Sequence, residues 1–239
     1  MPNNFFQFKQ FTIHHDRCAM KVGTDGVLLG AWASVENARH IIDIGTGSGL
    51  IALMVAQRNP QATVLGIDIN ELAVSQAKEN AQNSPFSDRI DIRNESVQEF
   101  VKNNSRIFDA VVSNPPFFAD SLPSQQQART IARHTDTLSL TALFASTARL
   151  LTAEGMFSLI YPIDRLSEII DCAEQNALFL HRQTTVFPTP DARPKRVLLE
   201  FSKQPLSTSV LYNELVLEIE RHCYSEAFRE LTKGFYVKF

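Results

Sequence analysis

Asp43-Ile44-Gly45-Thr46-Gly47-Ser48-Gly49 decides the fold. The β-branched run at residues 41–44 leads into it. A helical pattern over 50–58 leaves it and is stopped by Asn59-Pro60. Strand, glycine turn and helix make half of a βαβ unit, and the glycines permit a tight turn that a ligand can approach closely. The alternation continues outward. Strands are expected at 62–68, 89–93, 108–113 and 156–161, and helices at 71–83, 138–151 and 163–176. Asn70 is a plausible N-cap for the helix at 71–83. Paired strands are expected at 178–187 and 197–202, around a loop rich in proline and basic residues. Strands separated by helices of this length imply a parallel, doubly wound α/β sheet covered on both faces. In such sheets ligands bind beyond the C-terminal strand ends, so the chemistry is sought there.

Composition bounds the alternatives. The chain has 239 residues, 44% hydrophobic and 21% charged, which suits one domain with appended elements. The expected division is a single domain with an N-terminal segment at 1–39, a core at 40–203 and a C-terminal extension at 204–239. With 23 Lys+Arg against 26 Asp+Glu the formal charge is −3, so nucleic-acid binding must come from a local basic face. Cys18, Cys172 and Cys223 are too dispersed for a disulfide scaffold or a C-x-x-C metal site. No apolar run approaches a membrane span, and the first ten residues lack a signal-peptide profile, so a cytoplasmic setting without a membrane or an obligate protein partner is expected.

The turn spacing is G-x-G-x-G, not the G-x-G-x-x-G of dinucleotide binders, and an Asp stands two residues before its first glycine. It resembles motif I of the Rossmann-like S-adenosylmethionine-dependent methyltransferases. That resemblance implies a seven-stranded, mostly parallel sheet. It also implies donor contacts from Gly45, Gly47 and Gly49, with Asp43 holding the donor's amino group directly or through water. Asp68, ending the second strand, either accepts the two ribose hydroxyls or supplies an N-terminal charge to the next helix, and its pairing with the glycine turn favours ribose. Many such enzymes place an Asp after the third strand to meet the donor adenine. Here Asn94-Glu95-Ser96 stands instead, leaving Glu95 or Ser96 for that contact, with Ser96 equally readable as a helix cap.

Asn114-Pro115-Pro116-Phe117 follows the fourth core strand. It resembles the (N/D)-P-P-(Y/F/W) motif of methyltransferases acting on adenine N6, guanine N2 or glutamine amide nitrogen. A delocalised amino nitrogen is a poor nucleophile. The Asn114 side-chain oxygen and the Pro115 carbonyl can hold both of its N–H groups, and the prolines pre-organise the turn. Phe117 can stack on the base.

Met20-Lys21-Val22-Gly23-Thr24-Asp25-Gly26, through Trp32, together with the two motifs above, Ala132-Arg133-His134, Pro194-Lys195-Arg196 and residues 231–239, resembles the bacterial tRNA1(Val) adenine-N6 methyltransferase family over nearly the whole chain. The resemblance implies N6 methylation of an adenine in tRNA, at position 37 beside the anticodon. S-adenosyl-L-methionine is then the donor, no metal is needed and tRNA is the partner. In such enzymes the segment before the first strand folds over the donor, making Lys21, Thr24 and Asp25 candidate contacts; Thr24 or Asp25 is equally suited to cap a helix at 26–33. Arg193, Lys195 and Arg196, in a net-positive segment that also holds Arg182 and Lys203, and Pro116, Phe118, Arg133 and His134 are the substrate-side candidates. Phe5, Phe6, Phe8 and Phe11 are read as core or lid packing ahead of base stacking. The competing readings are guanine-N2 or protein-glutamine methylation, and a non-catalytic RNA-binding relative.

Overall fold

The computed structural model describes residues 3–18, 20–116 and 138–238. Its main sheet runs β10-β8-β9-β7-β6-β3-β4-β5. The strands are β3 (His40–Ile44), β4 (Thr63–Asp68), β5 (Ile90–Asn94), β6 (Phe108–Ser113), β7 (Leu151–Pro162), β8 (Phe179–Phe187), β9 (Arg196–Ser202) and β10 (Leu211–Val216). β3 to β7 are mutually parallel, β9 runs antiparallel to both β7 and β8, and β10 is parallel to β8. The sheet is therefore mixed and eight-stranded, which corrects the expected seven. The extra strand is β10, so residues beyond 203 complete the sheet edge.

Successive strand residues face opposite sides, and each side has its own core. Ile41, Val64, Ala110, Val112 and Ile160 pack against α1 (Thr24–Trp32), α2 (Leu50–Arg58) and the N-terminal Phe8 and Phe11. Ile42, Ile44, Leu65, Val111 and Leu159 pack on the other side, with Phe100 of α4 (Val97–Asn103), Phe144 of α5 (Leu140–Leu150) and Ile169 of α6 (Leu166–Gln175). α3 (Glu71–Gln82) lays Val74, Ala77 and Ala81 on Ile92 of β5. Its N-cap is Asn70, whose side chain accepts from the Ala73 N–H at 3.0 Å, as the sequence predicts. Of the N-terminal phenylalanines, Phe8 and Phe11 are buried and stack on each other and Phe6 packs against the same core, as expected, whereas Phe5 is exposed.

Two local details differ from expectation. α1 begins at Thr24 with Gly23 as N-cap and no side-chain cap bond, so neither Thr24 nor Asp25 caps it. Of the basic segment around β8 and β9, Arg182 and Lys203 are structural. The Arg182 guanidinium lies 3.7 Å from the centre of the Trp32 ring and pairs with buried Glu200, and Lys203 donates to the Leu151 carbonyl. A basic residue exposes only what its neighbours leave uncovered, and these two are engaged in holding α1 and β7.

A small hairpin, β1 (Phe5–Gln7) with β2 (Thr12–His14), precedes α1. A second hairpin, β11 (Glu218–Glu220) with β12 (Cys223–Tyr224), precedes α7 (Glu226–Thr232). Chain order reverses direction across the sheet at β3 and β6. Crossovers from β3 run one way to β4 and β5, and β6 and β7 lie on the other side. That switch point opens a crevice at the C-terminal strand ends.

Candidate active site

The floor of the crevice is the turn after β3. Gly45, Gly47 and Gly49 have φ of 75°, 54° and 82°, a left-handed region that side chains enter only with strain. Three such residues in five bend the chain sharply between β3 and α2. Gly45 and Thr46 donate their N–H groups to the Ile67 carbonyl at 2.9 and 3.0 Å, which ties the turn to β4. Gly66 on β4 admits this approach, since a Cβ there would sit 2.9 Å from Thr46 Oγ1 and 2.7 Å from Ile92 Cδ1. Asp68 completes the tie: Oδ2 accepts from the Gly47 N–H and Oδ1 from the Asn70 N–H, each at 2.9 Å.

Asp43 is fully buried beneath this floor. Thr46 Oγ1 donates to its Oδ2 at 2.7 Å, while Oδ1 has no well-formed hydrogen bond among the described residues. Burial pushes its pKa up to about 7. The Thr46 hydroxyl and the Ala52 N–H pull the other way, and the Asp68 charge adds to the rise.

The remaining strand ends bring the other groups alongside. β4 and β5 pair Asp68 with Asn94, so Glu95 follows directly beside Asp68, and the Glu95 N–H donates to the Asp68 carbonyl at 3.1 Å. The Ser96 hydroxyl is the N-cap of α4, accepting from the Glu99 N–H at 3.2 Å. β3 and β6 pair Ile44 with Ser113, and Ser113 Oγ donates to the Ile44 carbonyl at 2.8 Å. Asn114 therefore emerges next to Gly45. It is half-buried, with Pro115 buried behind it and Pro116 exposed.

One cleft unites these residues. Gly45, Gly47, Asp68, Glu95, Ser96, Asn114 and Pro116 all line it. Its apolar wall comes from Ile44, Ile67, Ile69 and Val97, and Cys18 and Met20 of the N-terminal segment close one side. Burial pushes the Cys18 thiol up to about 11, helped by the charges of Asp68 and Asp16, so it stays protonated and is a poor nucleophile.

The other expected donor contacts lie elsewhere. Gly49 caps α2, and Lys21 and Thr24 are exposed outside the cleft lining. Asp25 also lies off the lining and pairs with Arg196, Nε to Oδ2 at 2.7 Å. Arg196 starts β9, opposite Pro162 and Val186 at the C-terminal ends of β7 and β8, and the exposed Arg193 and Lys195 precede it on the same edge as the cleft. Phe117, Phe118, Arg133 and His134 lie outside the described residues. Sequence reasoning missed Cys18, Met20 and Ile69 as lining residues, because nothing local marks them. It missed Asn70 in that role because its capping signal accounts for it fully.

Among the described residues no group of three or more His, Cys, Asp or Glu could hold a metal ion, and no helix is long and apolar enough to cross a membrane.

Residues 23–161 match the family model described as the methyltransferase small domain. The chain is 49% identical over 238 residues to a tRNA1(Val) (adenine(37)-N6)-methyltransferase of Parabacteroides distasonis, covering 100% of both chains. It is 50% identical over 237 residues to the protein of the same name from Phocaeicola vulgatus, covering 99% of each. Among solved structures it resembles a protein of Agrobacterium tumefaciens described as a predicted O-methyltransferase, with a TM-score of 0.68 at 20% identity over 88% of this chain and 96% of that one. The ribosomal protein L11 methylase of Lactobacillus delbrueckii is similar with a TM-score of 0.53 at 18% identity, covering 75% of this chain and 77% of that one. These two likenesses concern the fold, a class I Rossmann-like methyltransferase sheet.

Proposed function

The chain belongs to the tRNA1(Val) (adenine(37)-N6)-methyltransferase family, and from that premise we propose that its cleft carries S-adenosylmethionine-dependent methylation of adenine N6 at position 37 of tRNA1(Val). The observation that carries this reading is the register of β3 and β6, which sets Asn114 beside the glycine turn in one cleft. The whole chain is read as one methyltransferase domain working in the cytoplasm, with residues 1–39 covering the donor side.

The residues present fit the donor. Asp68 sits in the lining with both oxygens fixed by backbone N–H groups, and each oxygen retains lone-pair capacity for a ribose hydroxyl. Asp43 keeps an oxygen without a well-formed partner, suited to a cationic amino group directly or through water. Ser96 spends its hydroxyl on the α4 cap, so we assign the donor adenine to the Glu95 carboxylate. The donor supplies an electrophilic methyl group on its sulfonium. The chain's own part is to hold the nucleophile. The Asn114 side-chain oxygen and the Pro115 carbonyl accept the two N–H groups of the adenine N6, aiming its lone pair into the cleft. After transfer the methylated amino cation is acidic and loses its proton to water as the product meets solvent, without a dedicated base. The target adenine must leave its stack to reach this position.

A decisive test compares single-turnover transfer from labelled donor to tRNA1(Val) transcripts carrying adenine or guanine at position 37. Transfer should require the adenine; equal transfer to both would overturn the assignment.

The buried Asp43 gives a pH signature. Its folded pKa, about 7, lies above the ordinary 3.8, so its contribution to stability is full below the ordinary range and is lost as pH rises through about 7. A cationic amino group favours the ionised carboxylate. Donor affinity should therefore fall about tenfold from pH 7.5 to pH 6, as proton binding competes. Asp43→Asn should bind weakly and with little pH dependence; calorimetry at the two pH values checks this, and an unchanged slope in Asp43→Asn would assign the titration elsewhere.

The basic edge should read phosphates. Replacing Arg193 and Lys195 by alanine should leave donor affinity normal and flatten the log–log salt dependence of tRNA binding by roughly 1.4–1.8 units, the counterion release of two lost contacts. Arg196→Ala should add little to that change, since its guanidinium is held by Asp25. An unaltered slope in the double variant would make this edge a solvated face only.

A further inference from the structure

Asn80, on α3, is 1% exposed and lies outside the cleft lining. Its side-chain amide nevertheless joins two parts of the donor site. Oδ1 accepts from the His14 N–H at 2.9 Å, and Nδ2 donates to the His14 carbonyl at 2.8 Å and to the Ser48 carbonyl at 2.9 Å. Both amide hydrogens are used, and a flipped amide would aim its oxygen at two carbonyls, so the orientation is fixed. His14 ends β2, where its main-chain groups turn away from β1 and are met by Asn80 as a neighbouring strand would meet them. Ser48 lies between Gly47 and Gly49, both at positive φ, and Gly47 is the residue held by Asp68.

We propose that Asn80 is a positioning residue that couples docking of the N-terminal hairpin to the geometry of the donor-binding turn. Around it Arg17 docks on the same face of α3, through its N–H to Gln76 Oε1 and its guanidinium to Glu79. The chain then runs on to Cys18 and Met20 in the cleft wall. Of these contacts Asn80 alone also touches the turn. Ser48 cannot shift its carbonyl without moving the peptides on either side of it. A ligand that fixes the turn therefore strengthens the hairpin's attachment, and an attached hairpin strengthens ligand binding by the same factor. This rests on the donor reading of the cleft.

S-adenosylhomocysteine is the probe, with calorimetry for affinity and amide hydrogen exchange for the hairpin. In the wild-type chain the ligand should slow exchange across residues 12–15, which lie outside the cleft lining. Asn80→Ala should bind it about tenfold more weakly, and the ligand should no longer slow exchange in the hairpin. Gln76→Ala, which removes the acceptor of the Arg17 N–H but keeps the Ser48 link, should bind within about twofold of wild type and keep the ligand-dependent slowing. A generally weakened fold would raise exchange everywhere yet preserve the ligand-dependent difference, so that pattern in Asn80→Ala overturns the coupling. So does wild-type affinity in a folded Asn80→Ala. Should that variant fail to fold, the wild-type measurement decides alone: bound ligand without slower exchange at 12–15 refutes the proposal. Absence of any binding to the wild-type chain is a separate result that removes the donor reading itself and this inference with it.

Discussion

Asn114→Ala is expected to slow methyl transfer by about 10²–10³, or ~2.7–4 kcal/mol, while donor and tRNA affinities stay near normal. The asymmetry follows from when its bond matters. Adenine N6 is nearly neutral in the ground state and becomes cationic as it bonds to carbon. An acceptor fixed against it gains most at that moment, so the loss falls on the transition state and on kcat. The backbone that carries the acceptor is anchored on both sides: Ser113, immediately before it, is bonded to the Ile44 carbonyl, and buried Pro115 follows. Asn114→Asp keeps the oxygen and adds a charge, so it should retain more activity than alanine wherever tRNA still binds. Single-turnover transfer at saturating tRNA and donor separates chemistry from binding. A wild-type rate for Asn114→Ala under those conditions would reduce Asn114-Pro115-Pro116 to a structural turn.

Much of this site is legible in the sequence because its parts are local. The turn from Asp43 to Gly49, the strand ending at Asp68 and the strand ending at Ser113 are each marked by β-branched runs with a change of residue type at the end. Their side-by-side arrangement follows from the handedness of crossovers. What escaped depends on partners far away in the chain. β10 reads poorly as a strand because most of Leu211–Val216 is exposed, and it forms against β8, whose register places Leu211 opposite Arg182. The charges of Arg182, Lys203 and Arg196 look like surface charge in a sequence, yet each is engaged by a group elsewhere in the chain: Glu200, the Leu151 carbonyl and Asp25. Asn80 gives the least warning of all. In a polar helix it looks like a solvated residue, and its partners, the Ser48 carbonyl and the docked hairpin, are both remote in the chain.

Asp68→Ala should fail in a different way, losing roughly 10²-fold or more in donor affinity while tRNA affinity stays normal. Hydrogen bonds to a charged group contribute about 1.5–3 kcal/mol each, and two are proposed to the ribose, so a loss of about 3 kcal/mol is the lower end. The substitution also strands the Gly47 and Asn70 N–H groups, which Asp68 now accepts. Asp68→Asn offers one acceptor in place of two and should lose nearly as much. The ribose lies away from the reacting carbon, so its contacts are as strong before transfer as during it. Their removal is a loss of uniform binding, visible in donor KM and overcome by raising donor concentration. The two variants then form a diagnostic pair, with Asn114→Ala slow at any donor concentration and Asp68→Ala slow only when donor is scarce. If Asp68→Ala bound S-adenosylhomocysteine within about threefold of wild type, the carboxylate would be serving the glycine turn and the start of α3, and the ribose contact would have to come from another group in the cleft.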